Sequence, residues 1–151
     1  MQTKLRLALD AGGVLFIHSS ESKEDTSGTA WMPGCLEALE KLSTVYDLYV
    51  ISFAGRQRGL ETRDIIAKDA KAWLPEDHVY IVNDRKKKGP LCRELGIHLM
   101  VDDRLDVLNG VHQSALQCKL YHFDVTGRTK NKPRFIQTVV NWKDLAEDLL
   151  K

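Results

Sequence analysis

Leu5, Leu7 and Leu9 alternate with Arg6 and Ala8, and the run stops at Gly12-Gly13, as a strand does on entering a tight turn. This predicts a first strand ending at Asp10. From Ile17 to Thr29 the chain is polar, small and aperiodic, which reads as a flexible loop over 17–30. After Pro33-Gly34, Leu36, Leu39 and Leu42 recur at helical spacing with Glu37, Glu40 and Lys41 between them. Leu48 to Ile51 form a short apolar strand ending at Ser52.

The segment from Gln57 to Leu74 predicts a helix with Leu60, Ala67, Ala70 and Leu74 on its buried face and Pro75 as its stop. A strand over His78 to Val82 follows. The basic run Arg85 to Lys88 leads into a helix around Leu91 to Leu95 that closes at Gly96, and Ile97 to Val101 form a strand leading into Asp102-Asp103. A short helix near Val107 and a strand from Leu116 to Phe123 continue the alternation. A basic loop over 126–134 precedes a last helix, in which Trp142, Leu145, Ala146, Leu149 and Leu150 share one face behind Asn141 as N-cap.

Strands alternating with helices, through connections too long for hairpins, specify an α/β fold: a Rossmann-like three-layer αβα sandwich with a mostly parallel sheet. A chain of 151 residues, 43% of them hydrophobic, is sized for one domain with its own core. Charge adds little, since 22 Lys+Arg against 21 Asp+Glu sets up no global field toward nucleic acid or an anionic membrane. Cys35, Cys92 and Cys118 are widely spaced and odd in number, which fits buried free thiols in a reducing compartment. Lys4, Arg6 and Asp10 interrupt the first apolar stretch, so it is neither a signal peptide nor a membrane span, and a cytoplasmic location is expected.

In parallel sheets, ligands bind beyond the carboxyl ends of the strands. The residues there are Asp10, Ser52, the cluster Lys86 to Lys88, and Asp102-Asp103. Two acids on neighbouring strand ends can share a hard cation, and a lysine and a hydroxyl nearby can hold the oxyanion that the cation also binds. That is the inventory of a phosphoryl-transfer site.

These residues carry a resemblance. LALDAGGVLF resembles the first motif of the haloacid dehalogenase superfamily, VISF the second, KKKG before CRELGI the third, and HLMVDDRLD the fourth. All four stand in the family's order over Leu5 to Asp106.

The resemblance implies a Mg²⁺-dependent phosphohydrolase in which Asp10 is the nucleophile that forms an aspartyl-phosphate. It further implies that Ser52 and Lys88 bind the phosphate, with the spacing to LGI favouring Lys88 over Lys86 and Lys87. Mg²⁺ would be held by Asp10, the Gly12 carbonyl, Asp102 and Asp103, while Asp106 either shares in this or caps the next helix.

One departure matters. Most phosphatases of this family carry an acid two residues after the nucleophile, and Gly12 stands there. General acid and base assistance is worth typically ~10²- to 10⁴-fold, so its loss should fall most heavily on esters with poor leaving groups. Two further readings therefore accompany the enzyme: a non-catalytic module that binds phosphate and metal, and an interaction domain for protein or nucleic acid.

The motif spacings leave no room for a cap domain, and a capless member implies an open site for a phosphorylated substrate, an exposed or macromolecular phosphate covered by a protein, a polynucleotide or another subunit. Arg56, Arg58, Arg104 and the basic residues from Arg128 to Arg134 are available to such a partner. No aromatic residues interleave with them in sequence, so nucleic acid lacks its usual stacking signature.

Overall fold

The computed structural model describes residues 3–17 and 30–151. The loop expected over 17–30 lies almost wholly outside them, although its two ends meet: Ile17 N donates to Ala30 O at 2.9 Å.

Six strands form one sheet in the order β3-β2-β1-β4-β5-β6, and every neighbouring pair is parallel. They are β1 (Leu5–Leu9), β2 (Tyr46–Phe53), β3 (Val79–Val82), β4 (Leu99–Asp102), β5 (Lys119–Phe123) and β6 (Ile136–Val139). The helices are α1 (Cys35–Leu42), α2 (Arg56–Asp69), α3 (Lys88–Leu95), α4 (Leu105–Ser114) and α5 (Trp142–Leu149).

Alternation along each strand feeds two separate cores. Leu7 and Leu9 pack with Leu39, Val50, Ile66, Val101 and Leu145, whereas Ala8 packs with Ile51, Met100, Cys92, Leu108 and Val111. Helices α1, α2 and α5 thus cover one face, and α3 and α4 the other, which is the expected three-layer sandwich. All three cysteines are free and buried.

Several boundaries and one helix face differ from the sequence reading. Helix α2 stops at Asp69, and the chain bends at Ala70 rather than running to Leu74. Its buried residues are Gly59, Thr62 and Ile66, while Leu60 is 52% exposed and Ala67 is exposed too. Gly59 explains the rotation, because a Cβ there would lie 3.0 Å from Ile81 Cγ2, so the helix backbone itself seats against β3. His78 belongs to a 3-10 turn before β3, and Leu116 is exposed ahead of β5. Strand β6 was not anticipated; it is a short edge strand with a mixed burial pattern.

The order 3-2-1-4-5-6 reverses direction between β1 and β4, which is where an open parallel sheet forms its crevice. Asp10 follows β1, and Asp102 ends β4. No helix among the described residues is long and apolar enough to cross a membrane.

Candidate active site

The loop behind Asp10 is a closed turn. Leu15 N and Phe16 N both donate to Ala11 O, at 2.9 and 3.0 Å, and Gly13 N donates to Phe16 O at 2.8 Å. Gly13 takes φ +84, and a Cβ there would collide with the Asp103 carboxylate, so a side chain is excluded for two reasons. Trp142 of α5 braces the turn from behind, its indole N–H donating to Val14 O at 2.7 Å.

Lys88 reaches the same crevice from α3. Asp84 caps the 3-10 turn Arg85–Lys87 by accepting from Lys86 N at 2.9 Å, and α3 begins directly afterwards. Gly89 lets α3 seat on α4, since a Cβ there would come within 2.8 Å of both Gly110 O and Ser114 Oγ. That seating turns Lys88 inward. Its ammonium donates to Asp10 Oδ1 at 2.9 Å and to Asp102 Oδ2 at 2.8 Å, and the residue is 2% exposed. Lys86 and Lys87 point to solvent, with Lys87 Nζ donating to Asn83 Oδ1 at 2.7 Å.

Asp10, Asp102 and Asp103 each offer an oxygen, and these atoms all lie within 4.8 Å of one another. Asp102 is fully buried and also accepts from Arg104 N at 3.0 Å. Burial pushes the Asp10 carboxyl up to about 6; Lys88 opposes this and Asp103 adds to it. Burial and the neighbouring Asp10 do the same for Asp102, as burial and Asp102 do for Asp103, each to about 6. For Lys88, burial favours the neutral amine, but the two carboxylates outweigh it and hold the group charged.

Three carboxylates against one ammonium leave a formal surplus of two negative charges in a small, oxygen-lined space. This donor set fits a hard divalent cation.

Ser52 is buried in β2, beside β1. The register Leu9↔Val50 puts it one residue beyond the level of Asp10. Gly12 is exposed, and a Cβ there would meet nothing within 4 Å, so the position usually held by the family's second acid is open space. Asp106 is not part of the cluster; it pairs with Arg104 at 3.1 Å on the surface.

Two residues escaped the sequence reading. His122 lies opposite Asp102 in the β4–β5 register, 3% exposed, with Nε2 3.1 Å from Asp103 O. A carbonyl only accepts, so Nε2 carries the proton, and Nδ1 is buried without a partner among the described residues. A polar residue inside the apolar run LYHF was the available signal. Asp124, one residue past β5, accepts from Lys132 Nζ at 3.1 Å, Thr129 N at 3.2 Å and Thr126 Oγ1 at 3.2 Å, and so bolts down the basic loop.

No protein-family model and no curated protein sequence matches the chain. Solved structures do. A haloacid dehalogenase-like hydrolase from Burkholderia xenovorans superposes with TM-score 0.69 at 14% identity, over 99% of this chain and 100% of that one. A D,D-heptose bisphosphate phosphatase from B. bronchiseptica, complexed with magnesium and phosphate, gives 0.69 at 17% identity over 97% and 98%. The RNA polymerase II CTD phosphatase Fcp1 gives 0.55 at 16% identity, over 97% of this chain and 61% of that one. The crevice between β1 and β4 therefore belongs to a chain with the haloacid dehalogenase-like hydrolase fold.

Proposed function

We propose that the chain is a Mg²⁺-dependent phosphohydrolase that works through an aspartyl-phosphate on Asp10. The observation that carries this reading is the Lys88 ammonium held between Asp10 and Asp102, with Asp103 beside them, at the carboxyl ends of adjacent strands. The magnesium and phosphate bound by the heptose bisphosphate phosphatase of the same fold support it.

Lys88 fixes Asp10 Oδ1, which leaves the other carboxylate oxygen to attack phosphorus as the ester O–P bond breaks. The lysine also offsets the charge of the arriving phosphate, and Ser52 supplies a hydroxyl to one of its oxygens. Asp10, Asp102, Asp103 and the Gly12 carbonyl would hold Mg²⁺, which supplies charge neutralisation between carboxylates and phosphate. Water then attacks the aspartyl-phosphate, releasing phosphate and regenerating Asp10.

With Gly12 in place of an acid, the leaving alkoxide departs unassisted, so aryl and acyl phosphates are the favoured esters. The same glycine favours a second reading, a phosphate-binding module with little turnover. We further take the chain as one domain without a cap, open above the crevice to a macromolecular phosphate.

The test is a time course of phosphate release from an aryl phosphate, with and without Mg²⁺, for the native chain and Asp10→Asn. Mg²⁺-dependent release lost in the variant supports the enzyme. Release equal to the variant's background, together with retained phosphate binding, transfers the assignment to the binding module.

A further inference from the structure

The rim of the crevice beside β2 and β3 is basic where helix electrostatics disfavour it. Carboxylates suit the amino-terminal turns of helices, yet the first turn of α2 carries Arg56 and Arg58 and no acid. The turn into α3 carries Arg85, Lys86 and Lys87, with Asp84 committed to capping. Arg56 and Asn83 line one depression between the ends of β2 and β3.

Within this rim Arg85 is held in place. Its guanidinium carbon lies 4.3 Å from the centroid of the Phe53 ring, and among the described residues it makes no ion pair or hydrogen bond. Phe53 is 38% exposed and directly follows Ser52. The register Leu9↔Val50 sets Phe53 two residues beyond the level of Asp10 on the neighbouring strand, so their Cα atoms lie roughly 8 Å apart. A stacked guanidinium keeps its N–H edge free, and that planar fork matches two oxygens of a phosphate.

We infer that the site takes a phosphate ester carrying a second phosphate a short distance from the scissile one, with the second group bound by Arg85 on its Phe53 platform. The inference rests on the reading of Asp10, Ser52 and Lys88 as the phosphate-handling centre. It names shared chemistry that a small bisphosphate and a polynucleotide end both possess. A monophosphate would leave the Arg85 fork facing solvent.

The probes are ligands that cannot be hydrolysed: butylphosphonate, and the butane carrying a phosphonate at each end, titrated calorimetrically into the native chain with Mg²⁺. The bisphosphonate is expected to bind ~10-fold tighter or more, and Arg85→Ala to bring the two within ~2-fold. Arg85→Lys keeps the charge but not the planar stack, so it should recover only part of the difference, and Phe53→Leu should lose part of it.

Equal affinity of the two ligands for the native chain, or an equal loss for both in Arg85→Ala, overturns the inference. If the monophosphonate itself does not bind, the underlying reading of the Asp10 centre fails, a result distinct from binding without gain from the second group. A phosphonate-ended oligonucleotide separates the sources: tighter binding than the bisphosphonate, lost in Arg85→Ala, supports the inference with a polynucleotide end. Equal binding, also lost in that variant, supports it with a small bisphosphate.

Discussion

Asp102 and Asp124 stand at the ends of adjacent parallel strands, both buried, and their electrostatics are opposite. Asp124 is penalised by burial, but the hydrogen bonds from Lys132, Thr129 and Thr126 outweigh that and hold its carboxyl down at about 2. Asp102 shares one ammonium with Asp10 and sits beside Asp103, and all three are pushed up to about 6. One carboxylate is a finished structural bolt. The other belongs to a cluster of three carboxyls that share one ammonium and keep a formal surplus of negative charge.

The largest effect expected from this contrast is on turnover. Asp10→Asn keeps an acceptor for Lys88 but removes the carboxylate we propose as nucleophile, and should lower phosphate release by about 10⁴-fold or more with the fold retained by circular dichroism. Asp124→Asn, by contrast, should leave turnover within about 3-fold of native. A comparable loss of activity in both would erase the distinction between bolt and site.

Next in size is the response to losing each lysine. Lys88→Met strands two buried carboxylates and should cost about 3–5 kcal/mol in urea unfolding at neutral pH. Lys132→Met leaves Asp124 its Thr126 and Thr129 donors and should cost about 1 kcal/mol. Equal costs would mean that the two acids are equally dependent on their cations.

A smaller and more diagnostic effect is the pH dependence. The raised carboxyls bind protons in the folded chain that the unfolded chain has already lost, so their contribution to stability falls as pH rises from about 4 through about 6. Asp124 has the reverse sign: its contribution is present above about 4 and is lost as pH falls through about 2. In chelator, Asp102→Asn should therefore lose less stability relative to native at pH 8 than at pH 5. Mg²⁺ should raise the native Tm more at pH 8 than at pH 5, and an Mg²⁺ increment independent of pH would argue against metal on these three acids.

The smallest expected change is a gain. Gly12 has open space around it and no positive φ, so Gly12→Asp is sterically permitted. It should raise alkyl phosphate hydrolysis by up to about 10²-fold and aryl phosphate hydrolysis by less. Equal gains, or none, would show that more than the acid has been lost from this pocket.

How much of this was legible follows from which forces act locally. The alternation of Leu5 to Leu9 placed β1 and delivered Asp10, and Asn141 was readable as a cap because its bond, to Asp144 N at 2.8 Å, is made within one turn. The choice of Lys88 from three lysines is now physical, since Gly89 seats α3 on α4 and turns that lysine alone into the crevice. Leu60 misled because the close approach of Gly59 to Ile81, a contact across the fold, sets the rotation of α2. The pairing of Arg85 with Phe53 was invisible for the same reason, whereas His122 left a trace as a polar residue inside the apolar run LYHF. The aromatic partner comes from the end of β2, far from Arg85 in the chain, so no interleaving could be seen in the linear sequence.

The hydrogen bond from Trp142 to Val14 joins residues 128 positions apart in the chain. The strand that ends at Asp10 is therefore synthesised well before the brace behind its turn. Domains fold largely as units while the chain emerges. A nascent domain lacking α5 would therefore carry β1 through β6 and still hold the turn after Asp10 unbraced, with the indole of Trp142 as a fluorescent reporter of the moment the brace closes.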